Sequence, residues 1–395
     1  MPAKIPPVSV IAYTATSALG VGKAAMLEAV RLGRCGLRPN DFTHQPLPTW
    51  IGRVAGLEDL QLPDALAPWD CRNHRLAWLG LTADGFSAAV GAARARHGAA
   101  RIAVVLGTST SSIGATEEAY RALDADGRFS ADRRNPRVHT PHSLSAFVQQ
   151  ALGLRGPCLT ISTACSSSAK AFASAERMLR LGLVDAAVVG GTDTLCGSVL
   201  FGFNALQLVS DEPCRPFDAA RKGINLGEAS GFALLERGPG ELMLTGYGEA
   251  SDAHHMSAPD PTGAGAERAL DDALARAGIV AEQIQHISLH GTASAKNDEV
   301  EAALVARRFG ADVHASSIKG ATGHTLGAAG IVGAASSLLA LETGWMPGTA
   351  GSECLDPACG PQIRLHAAHA APRRAASHSL GFGGTNAVLV FERAA

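Results

Sequence analysis

The stretch LTISTACSSSAKAFASAERMLRL, residues 159–181, contains the pattern that decides the fold. Residues 159–162 are predicted to form a short strand, and residues 166–181 have the composition of a helix. A turn of small residues that carries Cys165 joins the two. A strand that passes through a tight turn into a helix is the building unit of α/β proteins.

The same alternation of strands and helices extends along the whole chain. Apolar runs rich in β-branched residues predict strands at 8–13, 101–106, 159–162, 185–189, 241–247, 284–289, 313–317, 376–382 and 387–391. Helical periodicity and terminal glycines predict helices at 116–123, 166–181, 266–277, 299–309 and 327–341. We therefore expect mixed or parallel sheets covered by helices.

Two features suggest an internal duplication. Strands and helices alternate in each half, and each half has a strand leading to Gly-Gly-Thr, at 190–192 and 383–385. The tripeptide alone is weak support, because glycines commonly follow strands. Prolines at 213 and 216 and the Gly-Pro-Gly at 238–240 mark the predicted join. The predicted halves are residues 1–240 and 241–395.

Composition and charge exclude several classes of protein. The chain has 395 residues, of which 46% are hydrophobic, and a net charge of −2, so no global field attracts nucleic acid. The N-terminus lacks a signal-like segment, and no run of about 18 apolar residues occurs. We expect a cytoplasmic protein without a membrane span. The eight cysteines include no C-x-x-C pair, so a zinc ribbon or redox motif is unsupported.

Cys165 is the candidate nucleophile. It is predicted to lie at a helix N-terminus, where free N–H groups and the helix dipole stabilise a thiolate and lower the thiol pKa. The same amides can donate to an oxyanion during acyl transfer. A buried structural cysteine in a turn of small residues remains the alternative.

His290 and His324 are the candidate partners of this thiol. Both follow predicted strands and are flanked by glycines, and such transitions carry catalytic groups in α/β proteins. A thiolate with two imidazoles suits thioester chemistry, since imidazoles can polarise a carbonyl and stabilise an enolate. Among 14 histidines, a satisfied polar residue is the alternative. His286 and His290 alternate along a strand, so we expect no metal site.

Six motifs in order carry a resemblance to a known family. They are TACSS at 163–167, CRPFD at 214–218, SDAHHM at 251–256, HGT at 290–292 with Asn297 and Asp298, GHTLGAAG at 323–330 with Lys319, and GFGGTN at 381–386. Together they resemble the β-ketoacyl-acyl-carrier-protein synthase family of the thiolase superfamily, of the elongating type with a Cys-His-His site. The resemblance implies a thiolase fold: two duplicated βαβαβ halves in an α-β-α-β-α sandwich.

The resemblance also implies a reaction. The family extends an acyl chain held on a cysteine, here Cys165, by decarboxylative Claisen condensation with malonyl-acyl-carrier-protein. His290 and His324 would drive the decarboxylation, in fatty-acid, polyketide or polyene-pigment synthesis. By the same resemblance, Lys319 and Glu301 would form an ion pair beside the histidines.

Further residues take roles by the same resemblance. The backbone N–H groups of Cys165 and Phe382 would form the oxyanion hole, with Phe382 as a gating aromatic. Thr292 and Ser294 would contact the phosphopantetheine arm. Thr110 and Ile113 would line the acyl tunnel.

The family's partners are carried over in the same way. No cofactor is expected on the enzyme, because the substrates are carried on the phosphopantetheine of acyl carrier protein. The expected assembly is a homodimer, or a heterodimer with a chain-length-factor-like subunit. Candidate docking residues for the acidic carrier protein, or otherwise ordinary surface charges, are Arg72, Arg75, Arg133, Arg134 and Arg137.

Some positions depart from the family pattern. Ser294 replaces the usual Thr, Ala229 the usual Gly, and Lys222-Gly223-Ile224 the commoner Asp-Gly-Phe. These changes suggest a specialised paralogue, for instance one making polyene pigments.

Three rival functions would each require a different sequence feature. A chain-length-factor-like subunit would lack the cysteine. A thiolase would have a second cysteine in the C-terminal glycine loop, and a serine hydrolase a G-x-S-x-G elbow.

Overall fold

The computed structural model describes residues 3–395 as an α/β protein with four sheets. The longer strands contain apolar segments, many of them rich in β-branched residues, such as IAVVLG at 102–107. In chain order the strands are β1 Val8–Ser17, β2 Leu37–Pro39, β3 Trp50–Gly52, β4 Ile102–Gly107, β5 Cys158–Ile161, β6 Ala186–Asp193, β7 Leu226–Gly227, β8 Ala229–Arg237, β9 Leu242–Ser251, β10 His286–Ser288, β11 His314–Ser316, β12 Trp345–Met346, β13 Ala368–His369, β14 Arg374–Gly381 and β15 Thr385–Arg393.

The α-helices connect these strands. They are α1 Gly22–Arg31, α2 Arg72–Thr82, α3 Phe86–His97, α4 Ile113–Arg121, α5 Ser143–Leu152, α6 Ser167–Arg180, α7 Gly197–Ala205, α8 Ala264–Ala277, α9 Ala295–Arg308, α10 Lys319–Thr322 and α11 Ala329–Thr343. All nine predicted strands and all five predicted helices are present, with ends shifted by a few residues. Helices α1, α2, α3, α5, α7 and α10 were not predicted, nor were strands β2, β3, β7, β8, β12 and β13.

The two large sheets repeat one topology. The first has the strand order β5-β4-β6-β8-β1 and the second the order β11-β10-β14-β15-β9. In each, the first two neighbouring pairs are parallel and the last two are antiparallel. The strands also enter the two sheets in the same chain order, which is the duplication expected from the sequence.

The repeated Gly-Gly-Thr tripeptides are not equivalent positions of this duplication. Gly190 and Gly191 lie inside β6, where a Cβ on Gly190 would be 2.1 Å from the carbonyl oxygen of Gly231 on β8. Gly383 and Gly384 instead form, with Phe382, a short 3₁₀ helix between β14 and β15. Gly190 and Gly191 permit close contact between strands, whereas Gly383 and Gly384 form a turn. The repeated tripeptide therefore does not reflect the duplication.

The layers follow from where the apolar side chains lie. Helices α6 and α11 pack together between the two sheets, within the largest cluster of buried residues. Helices α2, α3 and α5 cover the outer face of the first sheet, and α8 and α9 the outer face of the second. The central layer brings the start of α6 close to the start of α11, since a Cβ on Gly330 would lie 2.5 Å from the Ala169 nitrogen.

Two helical stretches, 72–97 and 326–343, meet the length and hydropathy expected of a membrane span. The first consists of α2 and α3, separated at Asp84, whose φ is +53°. The second contains α11 and is 83% buried inside the protein. Because this helix is apolar all round and enclosed by both sheets, it has the environment of a core helix.

Candidate active site

Cys165 lies in the turn between β5 and α6, two residues before the helix begins. Ala164 adopts a φ of +51°, a left-handed conformation that bends the chain sharply. The Ser167 hydroxyl donates to the Ala164 carbonyl at 2.6 Å, and Thr385 of the second half donates to the Thr163 carbonyl at 2.9 Å. Both halves of the chain therefore hold the turn, and Cys165 is only 4% exposed.

His324 is in direct contact with Cys165. Its Nε2 is 2.9 Å from the Cys165 sulfur. Its backbone N–H donates to the Asn225 carbonyl at 2.7 Å, which anchors the residue to the first half. The backbone N–H of Leu326 donates to Nδ1 at 3.3 Å. Because Nδ1 is an acceptor, the neutral imidazole carries its proton on Nε2, facing the sulfur.

His290 completes the cluster from the second sheet. It follows β10 by two residues, and its ring lies 5.3 Å from that of His324 at an interplanar angle of 87°. The candidate ligand atoms of Cys165, His290 and His324 all lie within 4.8 Å of one another. The His290 Nδ1 is buried without a hydrogen-bond partner, so no neighbour fixes its tautomer.

Glu301 and Lys319 hold the backbone of His290 rather than each other. The Glu301 carboxylate accepts from the backbone N–H groups of His290 at 2.8 Å and Gly291 at 2.7 Å. The Lys319 ammonium donates to the His290 carbonyl oxygen. The expected direct ion pair between Lys319 and Glu301 is not formed in the described chain. Burial lowers the pKa of Lys319, and the nearby Glu301 charge acts in the opposite direction.

Burial dominates the electrostatics of the thiol. It raises the pKa of Cys165 to about 11, against smaller lowering effects from a hydrogen bond with the Phe382 backbone and from the Lys319 charge. The expectation of a lowered thiol pKa at the helix N-terminus is therefore wrong for the resting site. Desolvation of the thiolate outweighs the local donors.

Both histidines are neutral in the resting site. Burial, with the nearby Lys319 charge, lowers the pKa of His324 to about 3 and holds that of His290 well below its ordinary value. One sulfur and two imidazole nitrogens within 4.8 Å of one another also have the donor types of a transition-metal site. The positive charge of Lys319, which is close enough to lower the pKa of both histidines, opposes the binding of a metal cation there.

A cavity of about 430 Å³ leads to this cluster. Its lining includes Cys165, His290, His324, Phe382, Thr292, Ser294, Phe203, Leu206, Lys222, Lys296, His255 and Asn386. The Phe382 ring stacks on Phe203 at a centroid distance of 5.2 Å. The Thr292 and Ser294 hydroxyls bond to each other at 3.0 Å. The predicted gate and the predicted arm-binding residues thus share one cavity with the thiol.

Thr110 and Ile113 do not line this cavity. They line a separate cavity of about 230 Å³ with residues 139–141. The Thr110 hydroxyl donates to Asp193 at 2.8 Å, and Ile113 is 39% exposed at the start of α4. Their assignment to the acyl tunnel stays a prediction, and this structure does not connect them to Cys165.

The five candidate docking arginines differ in availability. Arg72 is held by Glu228 at 2.6 Å and by Glu58, so it is not a free surface cation. Arg75 is clamped by Asp70 through two bonds of 2.6 Å. Of the remaining three, Arg133 and Arg134 donate to backbone carbonyls, and Arg134 and Arg137 are exposed.

The contacts of several residues around the site were not predicted from the sequence, although Asp298 belongs to the HGT motif. Phe203 forms the stack with Phe382, and His378 approaches Glu301 at 3.3 Å. Asp298 accepts the backbone N–H groups of Thr292 and Ala293 at 3.0 and 3.1 Å. Asp193 ends the buried strand β6. The signal in the sequence is a charged residue, Asp193, that closely follows the apolar run of β6, because burial of a charge there requires compensation.

Comparison with known proteins agrees with this fold and cluster. Two family models match the chain, the N-terminal domain of β-ketoacyl synthase at residues 77–239 and its C-terminal domain at 242–353. The chain belongs to the β-ketoacyl synthase family. Within it, the chain is a ketosynthase, an acyltransferase that acts in chain elongation, and it has the thiolase fold.

Relatives and solved structures place it more closely. The chain is 34% identical to nodulation protein E of Rhizobium meliloti, over 75% of this chain and 76% of that protein. It is 33% identical to 3-oxoacyl-[acyl-carrier-protein] synthase 2 of Vibrio cholerae, over 75% and 76%. The ketosynthase of Xenorhabdus doucetiae, solved in complex with its chain length factor, superposes with a TM-score of 0.89 at 35% identity, over 98% of each chain.

Proposed function

We propose that Cys165, His290 and His324 are the catalytic residues of a decarboxylative Claisen condensation. In this reaction an acyl chain held on the Cys165 sulfur is extended by the two-carbon unit of a malonyl thioester. The observation that carries the proposal is the 2.9 Å contact between His324 Nε2 and the Cys165 sulfur, with His290 in the same buried cluster.

The first step transfers the acyl chain to the enzyme. The Cys165 sulfur bonds to the thioester carbonyl carbon, the C–S bond to the carrier breaks, and the thiol proton leaves with the carrier sulfur. Backbone N–H groups of Cys165 and Phe382 stabilise the oxyanion, and the hydrogen bond between Cys165 and the Phe382 backbone supports this. His324 presents N–H to the sulfur, so it stabilises developing thiolate rather than removing the proton.

The second step releases carbon dioxide from the malonyl thioester. The bond to the carboxylate breaks and its electron pair forms an enolate, whose oxygen accepts from His290 and His324. Neutral imidazoles suit this role, since both pKa values are depressed and each ring can donate without adding a proton. Lys319 and Glu301 position His290 through its backbone.

The third step joins the two chains. The enolate carbon attacks the acyl carbonyl, the new C–C bond forms, and the bond to Cys165 breaks. The Cys165 sulfur leaves as a thiolate and takes up one proton from solvent, which restores the resting thiol. Thr292 and Ser294 bind the arm of the incoming thioester. Phe382, stacked on Phe203, gates access between the cavity and the acyl chain.

The substrates of this chain are acyl and malonyl groups on the phosphopantetheine of acyl carrier protein, and the enzyme itself holds no cofactor. Relatives named 3-oxoacyl-[acyl-carrier-protein] synthase support this proposal. Arg133, Arg134 and Arg137 form the docking patch for the carrier, because Arg72 and Arg75 are engaged in ion pairs. The cytoplasm is the proposed location.

The proposed assembly is a homodimer, or a heterodimer with a chain-length-factor-like subunit, as in the Xenorhabdus doucetiae structure. Synthesis of a specialised chain such as an aryl polyene is the proposed pathway. The proposed halves are 1–240 and 241–395. All five strands of the first large sheet precede this boundary, and all five strands of the second large sheet follow it.

Two other functions fit the chain less well. A chain-length-factor-like subunit lacks the nucleophile, whereas Cys165 lies at the base of the cavity here. A thiolase needs a second cysteine beside the first, and Cys165 is the one cysteine among the residues that line this cavity.

One experiment tests the proposal. The protein is incubated with acyl- and malonyl-acyl-carrier-protein, and product mass and carbon dioxide are followed. Cys165→Ala should abolish condensation but retain decarboxylation, whereas His290→Ala and His324→Ala should lose decarboxylation. Condensation by Cys165→Ala would refute the nucleophile. The exposed cysteine variant Cys354→Ala, remote from the cavity, is the matched control.

A further inference from the structure

Asp193 is a buried carboxylate that none of the proposed catalytic steps uses. It is fully buried at the end of β6. One oxygen accepts from the backbone N–H and hydroxyl of Ser109, at 2.8 and 2.6 Å, and from the Gly327 N–H at 2.6 Å. The other accepts from Thr108 and from the N–H and hydroxyl of Thr110. Hydrogen-bond donors therefore compensate the Asp193 charge. They come from two loops, residues 108–110 after β4 and Gly327 before α11.

Gly327 follows a residue with an unusual backbone conformation. Leu326 has a φ of +56°, in the left-handed region that a branched side chain rarely adopts. Such a conformation persists only where surrounding contacts hold it, and it is concentrated at functional sites. The 2.6 Å bond from the Gly327 N–H to Asp193 is charge-assisted, and it fixes the peptide immediately after Leu326.

The same strained residue also contacts His324. The Leu326 N–H donates to the His324 Nδ1 at 3.3 Å, which leaves the imidazole proton on Nε2, 2.9 Å from the Cys165 sulfur. A short chain of contacts thus runs from the carboxylate to the thiol, through one glycine N–H and one left-handed residue.

We propose that Asp193 is a positioning residue that maintains the Nε2–H tautomer of His324. By holding the Gly327 N–H it keeps Leu326 left-handed, so that the Leu326 N–H occupies Nδ1 and the imidazole donates toward Cys165. The catalytic consequence rests on the proposed role of His324. The effect of Asp193 on the His324 tautomer does not depend on that role, so the tautomer proposal and the proposed function can be refuted separately.

Two variants separate the hydrogen bond from the charge. In Asp193→Asn the amide oxygen can keep the Gly327 bond while its NH₂ faces the Thr108 and Thr110 hydroxyls, which can rotate to accept. The Thr110 backbone N–H loses its acceptor in this variant, at a cost in stability that the melting measurement reports. Asp193→Ala removes the charged acceptor and leaves the Gly327 N–H only the longer contact with the Ser109 hydroxyl, at 3.2 Å. Thr108→Val is the matched control, because it removes a donor to the far oxygen and leaves the Gly327 contact in place.

The experiment measures condensation kinetics, thermal melting and the ¹⁵N resonances of His324, which are assigned by their loss in His324→Ala. We expect Asp193→Ala to lower kcat about 10–100-fold, the range for residues that orient catalytic groups, with little change in KM. Its His324 resonances should show both nitrogens sharing the proton. Wild type, Asp193→Asn and Thr108→Val should show a bare Nδ1 and a protonated Nε2.

Other outcomes overturn the proposal. A folded Asp193→Ala that keeps the Nε2–H signature or the wild-type kcat refutes it. Equal kcat losses in Asp193→Ala and Asp193→Asn, with unchanged resonances, would show that the charge acts instead. If Asp193→Ala does not fold, Asp193→Ser, whose side chain is one bond too short to reach Gly327, is measured in its place. Failure of wild type to condense would instead refute the proposed function.

Discussion

Replacing Glu301 with glutamine should loosen the backbone of His290. Glu301 is fully buried, and its two oxygens accept separate backbone N–H groups, from His290 at 2.8 Å and Gly291 at 2.7 Å. Glutamine has only one oxygen. Whichever way the amide is oriented, its NH₂ faces one of these two donors, which then lacks an acceptor.

The cost follows from these contacts. A buried donor left without a partner costs about 1–3 kcal/mol, and the surviving bond loses roughly 1 kcal/mol because its acceptor is no longer charged. Together the free energy of unfolding should fall by about 2–4 kcal/mol. With an unfolding entropy of roughly 0.8 kcal/mol/K for a chain of 395 residues, this lowers Tm by about 2–5 °C. We expect condensation to slow about tenfold, because Glu301 orients His290.

Calorimetry and the condensation assay test this prediction. Glu299→Gln is the matched control on the same helix, since that carboxylate is 58% exposed and contacts Arg221 only at 3.6 Å. Although the Arg221 side chain is largely buried, the exposed Glu299 carboxylate is screened by solvent, so this contact contributes about 0–1 kcal/mol. If Glu301→Gln melts and condenses like Glu299→Gln, the two backbone bonds do not hold His290 and the reasoning fails.

Three further predictions follow from burial and packing. Because the Cys165 pKa is raised to about 11, its alkylation by iodoacetamide should accelerate about tenfold per pH unit between pH 7 and 10, and a plateau near pH 8 would contradict this. Burial lowers the pKa of His74 to about 4 and of His324 to about 3. The unfolded chain therefore binds more protons below about pH 6.5, so Tm should fall as pH decreases from 6.5 toward 4; melts that do not change over this interval would count against it. In Gly107→Ala the new Cβ would lie 2.2 Å from the Ser168 nitrogen, so condensation should be lost, whereas Gly91→Ala in open space should retain it.

Local patterns were sufficient to predict most of the elements. Strand β6 begins with an apolar run, and α6 follows a turn of small residues, so both can be predicted from a few neighbouring residues. The six missed helices have less distinctive patterns. In α3, for example, buried Phe86, Val90 and Ala93 alternate with alanines and arginines, and only packing against the first sheet selects the buried face.

The candidate site was predictable as a set of residues but not as an arrangement. Cys165 and His324 are 159 residues apart, and their contact depends on α6 and α11 packing between the sheets. The expected thiol pKa had the wrong sign because a helix N-terminus is visible in sequence and desolvation is not. Likewise, Arg72 looks like a surface cation until Glu228, 156 residues away, is placed beside it.

The sequence by itself determined the alternation of strands and helices, the family motifs and the candidate residues Cys165, His290 and His324, because each depends on neighbouring residues. Only the tertiary structure decided the protonation of the thiol, the backbone contacts of Glu301 and Lys319, and the connection of Asp193 to His324. These depend on burial and on hydrogen bonds between residues distant in the chain, which exist only once both sheets enclose the central helices.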